Sequence, residues 1–199
     1  MVRLHRNLFY ARKKPWPVPL VREATGWRST QGNRMKKKRS SSTDSFYEVY
    51  ESPVGVLYLV FAGKDLCGIE FVKPVDLPLK KSSSSLLHKE LKEFFKHGKD
   101  AFDQTIVLTK GTEFDCLVWM ALKEIPFGET RTYKWLANKI GRPNAFRAVG
   151  QSLGKNPIPI VLPCHRIIES DGSLGGFSAG TDVKRRLLEI EYYIKQTKP

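Results

Sequence analysis

Alternating and helical patterns of apolar residues predict a small α+β module over residues 46–109. Residues 46–50 alternate weakly, residues 56–61 form a short apolar run, and residues 66–72 follow a turn at Lys64-Asp65. Each of these segments predicts a strand. Leu87, Leu91, Phe94 and Phe95 lie at helical spacing, which predicts a helix over 86–96, and residues 105–108 are expected to form a last strand.

From about residue 110 the pattern is helical, which predicts a second domain over residues 110–199. One helix is expected over 114–125, ended by Pro126 and Gly128. Thr132 is a suitable N-cap for a helix over 133–140, and a third helix is predicted over 145–153. Two short helices joined by a tight turn suggest a helix-turn-helix, whose second helix would meet DNA. Helical hairpins in ordinary protein cores give the same pattern.

The third of these helices is rich in small residues, and its two basic residues are Arg147 and Lys155. The small positions are Ala148, Gly150, Ser152 and Gly154. Glycine costs about 1 kcal/mol in a helix interior, so two glycines suggest a close contact. The contact is either with a partner such as DNA or with a neighbouring helix, and the pattern does not choose between them.

Positive charge is concentrated at the start of the chain. The formal net charge is +14, and residues 1–45 hold 12 Lys and Arg but only Glu23 and Asp44 as acids. This segment has a run of basic residues, a Pro-rich stretch and no sustained period, so we expect a disordered basic arm. It is either a non-specific tether to nucleic acid or a solvated tail, which includes the case of a wrongly assigned start site.

The composition narrows the class of protein. A hydrophobic content of 41% is sufficient for a packed core, and no stretch is apolar enough to predict a transmembrane helix or a secretory signal. Cys67, Cys116 and Cys164 cannot form a fully paired disulfide set, and their spacing matches neither a CxxC zinc site nor a thioredoxin motif. We therefore expect an intracellular protein, located in cytoplasm and nucleoid or in a nucleus, with no membrane partner.

The candidate chemistry is concentrated at Pro163-Cys164-His165-Arg166, at the end of an apolar run. His165 could lower the pKa of Cys164 and hold a thiolate ready for attack. For a Cys-His pair taken alone, the structural interpretation is favoured, in which Cys164 is a small buried apolar side chain and His165 a satisfied polar one. A small-residue loop, residues 175–180, follows the turn at residues 170–172.

The wider pattern resembles the active site of the O6-alkylguanine-DNA alkyltransferases. Besides Pro-Cys-His-Arg, the similarity covers residues 125–129, 132–133, 147–150, 156–157 and 187–191, and more loosely 52–55 and 66–70. It therefore spans residues 46–195 but not the basic arm. It implies an α+β fold with a ribonuclease-H-like N-terminal module and a mainly helical, winged-helix-like DNA-binding domain.

This resemblance implies DNA repair by direct, single-turnover alkyl transfer from O6-alkylguanine, and from O4-alkylthymine, to Cys164. His165 matches the residue that takes the thiol proton through a water, and Glu191 matches the carboxylate that orients that histidine. Tyr133 matches a hydrogen-bond donor to the base. The residues expected to line the substrate pocket are Ser178, Phe177, Val161 and Pro159.

The resemblance also implies that double-stranded DNA is bound in the minor groove by a monomer with low sequence preference. Arg147 matches the residue that enters the base stack while the damaged nucleotide is flipped out. Asn156 matches a residue that ties the recognition helix to the active-site turn. The full predicted DNA-binding set is Arg147, Ala148, Gly150, Asn156, Thr132 and Arg166.

Two residues depart from the pattern of many relatives. Phe177 occupies a position that is often Tyr, and Phe146 a position that is often small. No cofactor is expected, and no metal, because the N-terminal module offers only Cys67, His88 and His97 as zinc ligands.

Three other functions compete with DNA repair. The main alternative is a non-catalytic protein that recognises alkylguanine, although such relatives lack the acceptor cysteine. A transcription regulator and a thiol hydrolase are the others.

Overall fold

The computed structural model describes residues 45–80 and 85–197. The interpretation of residues 1–45 as a disordered arm lies outside this range, apart from Ser45, which begins the first strand. None of the described helices is both long and apolar enough to cross a membrane.

The N-terminal part is an antiparallel sheet of three strands covered by one helix. The strands are β1 (Ser45–Ser52), β2 (Gly55–Ala62) and β3 (Asp65–Glu70), in the order β1-β2-β3. Two-residue loops join them, and β2 buries Leu57, Leu59 and Phe61 on one face because alternate strand residues point the same way. Helix α1 (Leu86–His97) begins at the N-cap Ser85 and ends at Gly98, whose φ of 62° is left-handed.

The predicted strand over residues 105–108 is wrong. This segment forms one isolated parallel bridge, Leu66 to Ile106, and Leu108 is buried without extending the sheet. The backbone of that segment bonds to the edge of β3 only at Leu66, through Thr105 O and the Val107 amide, and a periodicity pattern does not distinguish such a segment from a strand.

The C-terminal part is mainly helical, and most of its elements match the predictions. Helix α2 (Glu113–Ala121) begins with a capping box between Thr112 and Asp115 and ends in a 3-10 turn, Leu122–Glu124. Helix α3 (Tyr133–Lys139) has Thr132 as its N-cap, as predicted, and α4 is Phe146–Leu153. The sequence pattern did not predict the long helix α5 (Thr181–Thr197) or the parallel pair β4 (Arg131–Thr132) and β5 (Ile167–Ile168).

One continuous set of buried residues joins the two parts. The contact nearest the site is made by the loop that precedes Cys164. The amide of Ile69 in β3 donates to the carbonyl of Pro157 at 2.9 Å, and the rings of Phe71 and Phe177 meet edge to face. The sheet therefore supports this loop from behind.

Candidate active site

Cys164 begins a short 3-10 turn, Cys164–Arg166, directly after the buried segment 158–163. Asn156 shapes that segment: its Nδ2 donates to Leu162 O at 2.8 Å, and its Oδ1 accepts from the Ile158 amide at 3.1 Å. Ile160 has a φ of 76°, an unfavourable conformation for a β-branched residue that costs about 1–3 kcal/mol. The hydrogen bonds of Asn156 therefore hold a strained turn beneath the thiol.

A cavity of about 540 Å³ lies between this turn, α4 and the loop before α5. Cys164 lines it but is only 4% exposed. The predicted residues that line the cavity with it are Tyr133, Arg147, Gly150, Phe177 and Ser178, and those that sequence reasoning did not assign are Phe146, Leu153, Gly154, Glu169 and Gly176.

The pocket residues predicted as an apolar wall are misplaced. Pro159 and Val161 are buried in the segment below Cys164 and are not among the residues that line the cavity. Leu153 of α4 and Phe177 supply apolar surface there instead. The resemblance gave these two residues, and the apolar pattern of the segment does not show which of its side chains reach the cavity.

Behind Cys164 lies a buried charge network centred on Glu191. His165 Nε2 is 2.8 Å from Glu191 Oε1, and the Gly128 amide donates to Oε2 at 2.8 Å. Arg166 donates to the same carboxylate through Nε and a terminal nitrogen, at 2.9–3.1 Å. Its other terminal nitrogen donates to Asp100 and to Ile125 O. His165, Arg166 and Glu191 are at most 2% exposed.

Two residues of the predicted DNA-binding set, Arg166 and Asn156, are buried and bonded within the protein. Arg166 is buried and its donors are used by Glu191, Asp100 and Ile125 O, so it cannot reach a phosphate in this arrangement. Asn156 is 6% exposed, and its side chain is bonded within the turn, as the expected tie between helix and active site requires. Sequence alone does not tell a buried arginine from a surface one.

Ionisation in the site follows from burial and from these partners. Burial raises the pKa of Cys164 to about 11, while Asn156 and the charge of Lys184 oppose that rise. Burial lowers the pKa of His165, so the imidazole is neutral. For Glu191, burial acts upward, but the hydrogen bonds of His165 and Arg166 and the charge of Arg166 outweigh it and bring the pKa to about 2. Cys164 thus requires a base, and a neutral imidazole lies next to it in the chain.

His165 has one ring nitrogen available for that purpose. With Nε2 bonded to the Glu191 carboxylate, Nδ1 is buried and has no hydrogen-bond partner among the described residues. A buried polar atom without a partner is uncommon and needs an explanation. Here, Nδ1 can accept a proton, and the carboxylate can stabilise the imidazolium that results.

Lys184 is a site residue that sequence reasoning missed. It is fully buried in α5, and its ammonium donates to the carbonyls of Ile167, Leu174 and Gly176, so it fastens the loop that carries Phe177 and Ser178. Its charge also favours the thiolate of Cys164. No sequence signal singled it out, because the pattern analysis did not predict the helix that carries it.

We expect Lys184→Met to slow the predicted alkyl transfer to Cys164 at least about tenfold and to destabilise the fold by about 2 kcal/mol, because buried carbonyls lose their donor. Single-turnover rates and urea unfolding would measure both effects. Arg185→Met is the matched control, since Arg185 lies on the same helix, carries the same charge and is exposed. Equal effects of the two substitutions would contradict the role of Lys184.

The remaining predicted residues lie on or near one surface. Arg147 and Ala148 are on the exposed face of α4, while Val149 and Leu153 face the core. A Cβ added at Gly150 would make ordinary contacts of 3.6–3.7 Å with the Tyr133 ring, so internal packing does not demand glycine there. The small residues therefore leave open a face of α4 beside the cavity.

Cys67 and Cys116 are half-buried, outside the cavity-lining set. Cys67 donates weakly to Val60 O, and burial raises its pKa. In the described part of the chain, no three His, Cys, Asp or Glu side chains are grouped so that they could hold a metal ion.

Comparisons with known proteins give one family. A family model for the DNA-binding domain of 6-O-methylguanine DNA methyltransferase matches residues 113–193. The methylated-DNA–protein-cysteine methyltransferase of Methanosarcina barkeri is 41% identical over 153 residues, which are 73% of this chain and 96% of that protein. The Haemophilus influenzae protein of the same name is 37% identical and covers 75% of this chain and 87% of its own length.

Solved structures of O6-methylguanine methyltransferases have a fold similar to that of this chain. The Mycobacterium tuberculosis O6-methylguanine methyltransferase superposes with a TM-score of 0.69 at 37% identity and covers 75% of this chain and 93% of its own. The complex of the M. tuberculosis protein OGT with DNA gives a TM-score of 0.68 at 37% identity, covering 75% and 94%. With a buried Cys-His-Glu arrangement beside a cavity and this level of identity, the chain belongs to the methylated-DNA–protein-cysteine methyltransferase family.

Proposed function

We propose that this protein repairs DNA by transferring the alkyl group of O6-alkylguanine to Cys164 in one irreversible step. The observation that carries the proposal is the position of Cys164 at a cavity, with the buried His165–Glu191 pair directly behind it. No other cysteine lines that cavity among the described residues. O4-alkylthymine is proposed as a second substrate, on the resemblance alone.

In this reaction, His165 Nδ1 takes the thiol proton through a water, and Glu191 stabilises the imidazolium. The thiolate attacks the alkyl carbon, so a C–S bond forms as the C–O6 bond breaks and its electron pair stays with guanine. Burial, and then the charge of Glu169, raise the pKa of Tyr133, which keeps its hydroxyl protonated and able to donate to the base. The thioether is stable, which limits each molecule to one turnover.

We propose that α4 docks in the minor groove of double-stranded DNA with little sequence preference. Its exposed face has Arg147 and Ala148 beside the mouth of the cavity. Arg147 would occupy the space left by the flipped nucleotide, and Thr132, at the start of α3, would lie close to the backbone. The absence of a steric demand for glycine at position 150 supports a partner contact there.

We further propose that the protein acts as a monomer and that its two parts, residues 46–109 and 110–199, are ribonuclease-H-like and winged-helix-like. The sheet with α1 supports the first assignment. The helix pair α3–α4 beside the short β4–β5 pair supports the second.

The direct test is intact-protein mass spectrometry after incubation with duplex DNA that carries one O6-methylguanine. The expected result is a gain of one CH₂ unit on every protein molecule, never more than one, and peptide mapping that assigns it to Cys164. Unmodified duplex DNA is the control. Tight binding to the lesion without a mass gain would instead support the non-catalytic recognition protein.

A further inference from the structure

An unpaired carboxylate lines the same cavity as the acceptor thiol. Glu169 is an exposed residue that forms part of the cavity wall, and no described side chain makes a hydrogen bond or salt bridge with its carboxylate. Its backbone, in contrast, is fixed: its amide donates to Ser173 O at 2.9 Å, and its carbonyl accepts from the Gly172 amide at 3.1 Å. A turn thus holds the residue in place and leaves its charge available to a ligand.

This carboxylate lies close to the hydroxyl of Tyr133. A Cβ placed on Gly175 would be 2.8 Å from Tyr133 Oη and 3.1 Å from Glu169 Oε1, so both oxygens approach the same side of Gly175. Gly175 also has a φ of 64°, which favours glycine. The negative charge of Glu169 is therefore beside the hydroxyl that we assign to the substrate base.

Two cations, Lys184 and Arg147, bear on this charge, and Lys184 interacts with Glu169 electrostatically but makes no hydrogen bond with it. The ammonium of Lys184 is buried behind the loop and is bonded to three carbonyls. Arg147 lines the cavity from α4, where it lies over the ring of Phe146. In the proposed complex with DNA, its guanidinium leaves this position and enters the duplex. Glu169 is exposed in the free protein, and we expect a nucleotide in the cavity, with DNA against α4, to exclude water around its carboxylate, which strengthens charge interactions there.

We propose that Glu169 makes alkyl transfer selective by charge, disfavouring adducts whose alkyl group is an anion and favouring those whose alkyl group is a cation. This inference rests on the proposed function, since it concerns the group that Cys164 accepts. The chemistry of the step is unchanged: a C–S bond forms, the C–O6 bond breaks and the electron pair remains on guanine.

The test compares three duplexes of one sequence, which carry O6-methylguanine, O6-carboxymethylguanine or O6-(2-aminoethyl)guanine. Single-turnover rates are measured for the wild-type protein, for Glu169→Gln and for Asp171→Asn. Each rate is divided by the methyl rate of the same variant, which removes differences in folding and DNA affinity. Asp171 is the matched control because it lies in the same exposed turn, outside the cavity-lining set.

We expect Glu169→Gln to raise the relative carboxymethyl rate about fivefold or more and to lower the relative aminoethyl rate by a similar factor, because a charge shielded from water is removed. Asp171→Asn should leave both ratios unchanged. Equal ratios in all three proteins, the same change in both variants, or no carboxymethyl transfer by any of them would overturn the inference. Absence of methyl transfer by the wild-type protein would instead contradict the proposed function.

Discussion

Replacing Cys164 with alanine is expected to abolish alkyl transfer completely while leaving the protein folded and able to bind lesion-containing DNA. The sulfur is the only proposed alkyl acceptor, and no buried partner depends on it for an ion pair. Loss of one small buried atom costs about 1 kcal/mol, which a stable fold tolerates. Intact mass after incubation with O6-methylguanine DNA measures transfer, and a gel shift with the same duplex measures binding.

Cys67→Ala and Cys116→Ala are the controls, because both thiols are half-buried and lie outside the cavity-lining residues. Each variant should still gain one CH₂ unit per molecule. A mass gain that persists in Cys164→Ala and disappears in either control would move the acceptor to another thiol and contradict the mechanism. Loss of binding together with transfer in Cys164→Ala would indicate misfolding, which urea unfolding would reveal.

The parts of the site that could be predicted are those that local sequence specifies. The order Pro-Cys-His-Arg places Cys164 and His165 in adjacent positions of one turn, so their proximity needs no tertiary information. Thr132 was recognisable as an N-cap because its side chain has to satisfy a free amide at the start of α3, and the structure confirms it.

The parts that could not be predicted depend on long-range packing. In the sequence, Arg166 is interpreted as a surface residue because arginine is seldom buried. Its buried charge is compensated by Glu191 and Asp100, which come from distant segments of the chain. Lys184 is similar, since the carbonyls that satisfy it belong to a loop with no recognisable pattern. In the same way, the apolar pattern before Cys164 does not show that Pro159 and Val161 are absent from the cavity lining.

The second large effect is expected for Glu191→Gln, which should destabilise the fold by about 3–5 kcal/mol, because it leaves the buried guanidinium of Arg166 without its main counter-charge. Asp100 remains as a partner, but it is one-third exposed. The transfer rate should fall at least about a hundredfold, since the imidazolium of His165 loses the carboxylate that stabilises it. Urea unfolding at neutral pH and single-turnover rates would measure the two effects.

The pH dependence of the free energy of unfolding distinguishes a loss of the Glu191 charge from a simple packing defect. Since the pKa of Glu191 is lowered from 4.5 to about 2 in the folded protein, its contribution is present above pH 4.5 and is lost as the pH falls toward 2. The wild-type free energy of unfolding should therefore fall more steeply over that range than that of Glu191→Gln. Glu189→Gln, an exposed change on the same helix, should keep the wild-type slope. Equal slopes in all three proteins would contradict the charge network as the source of stability.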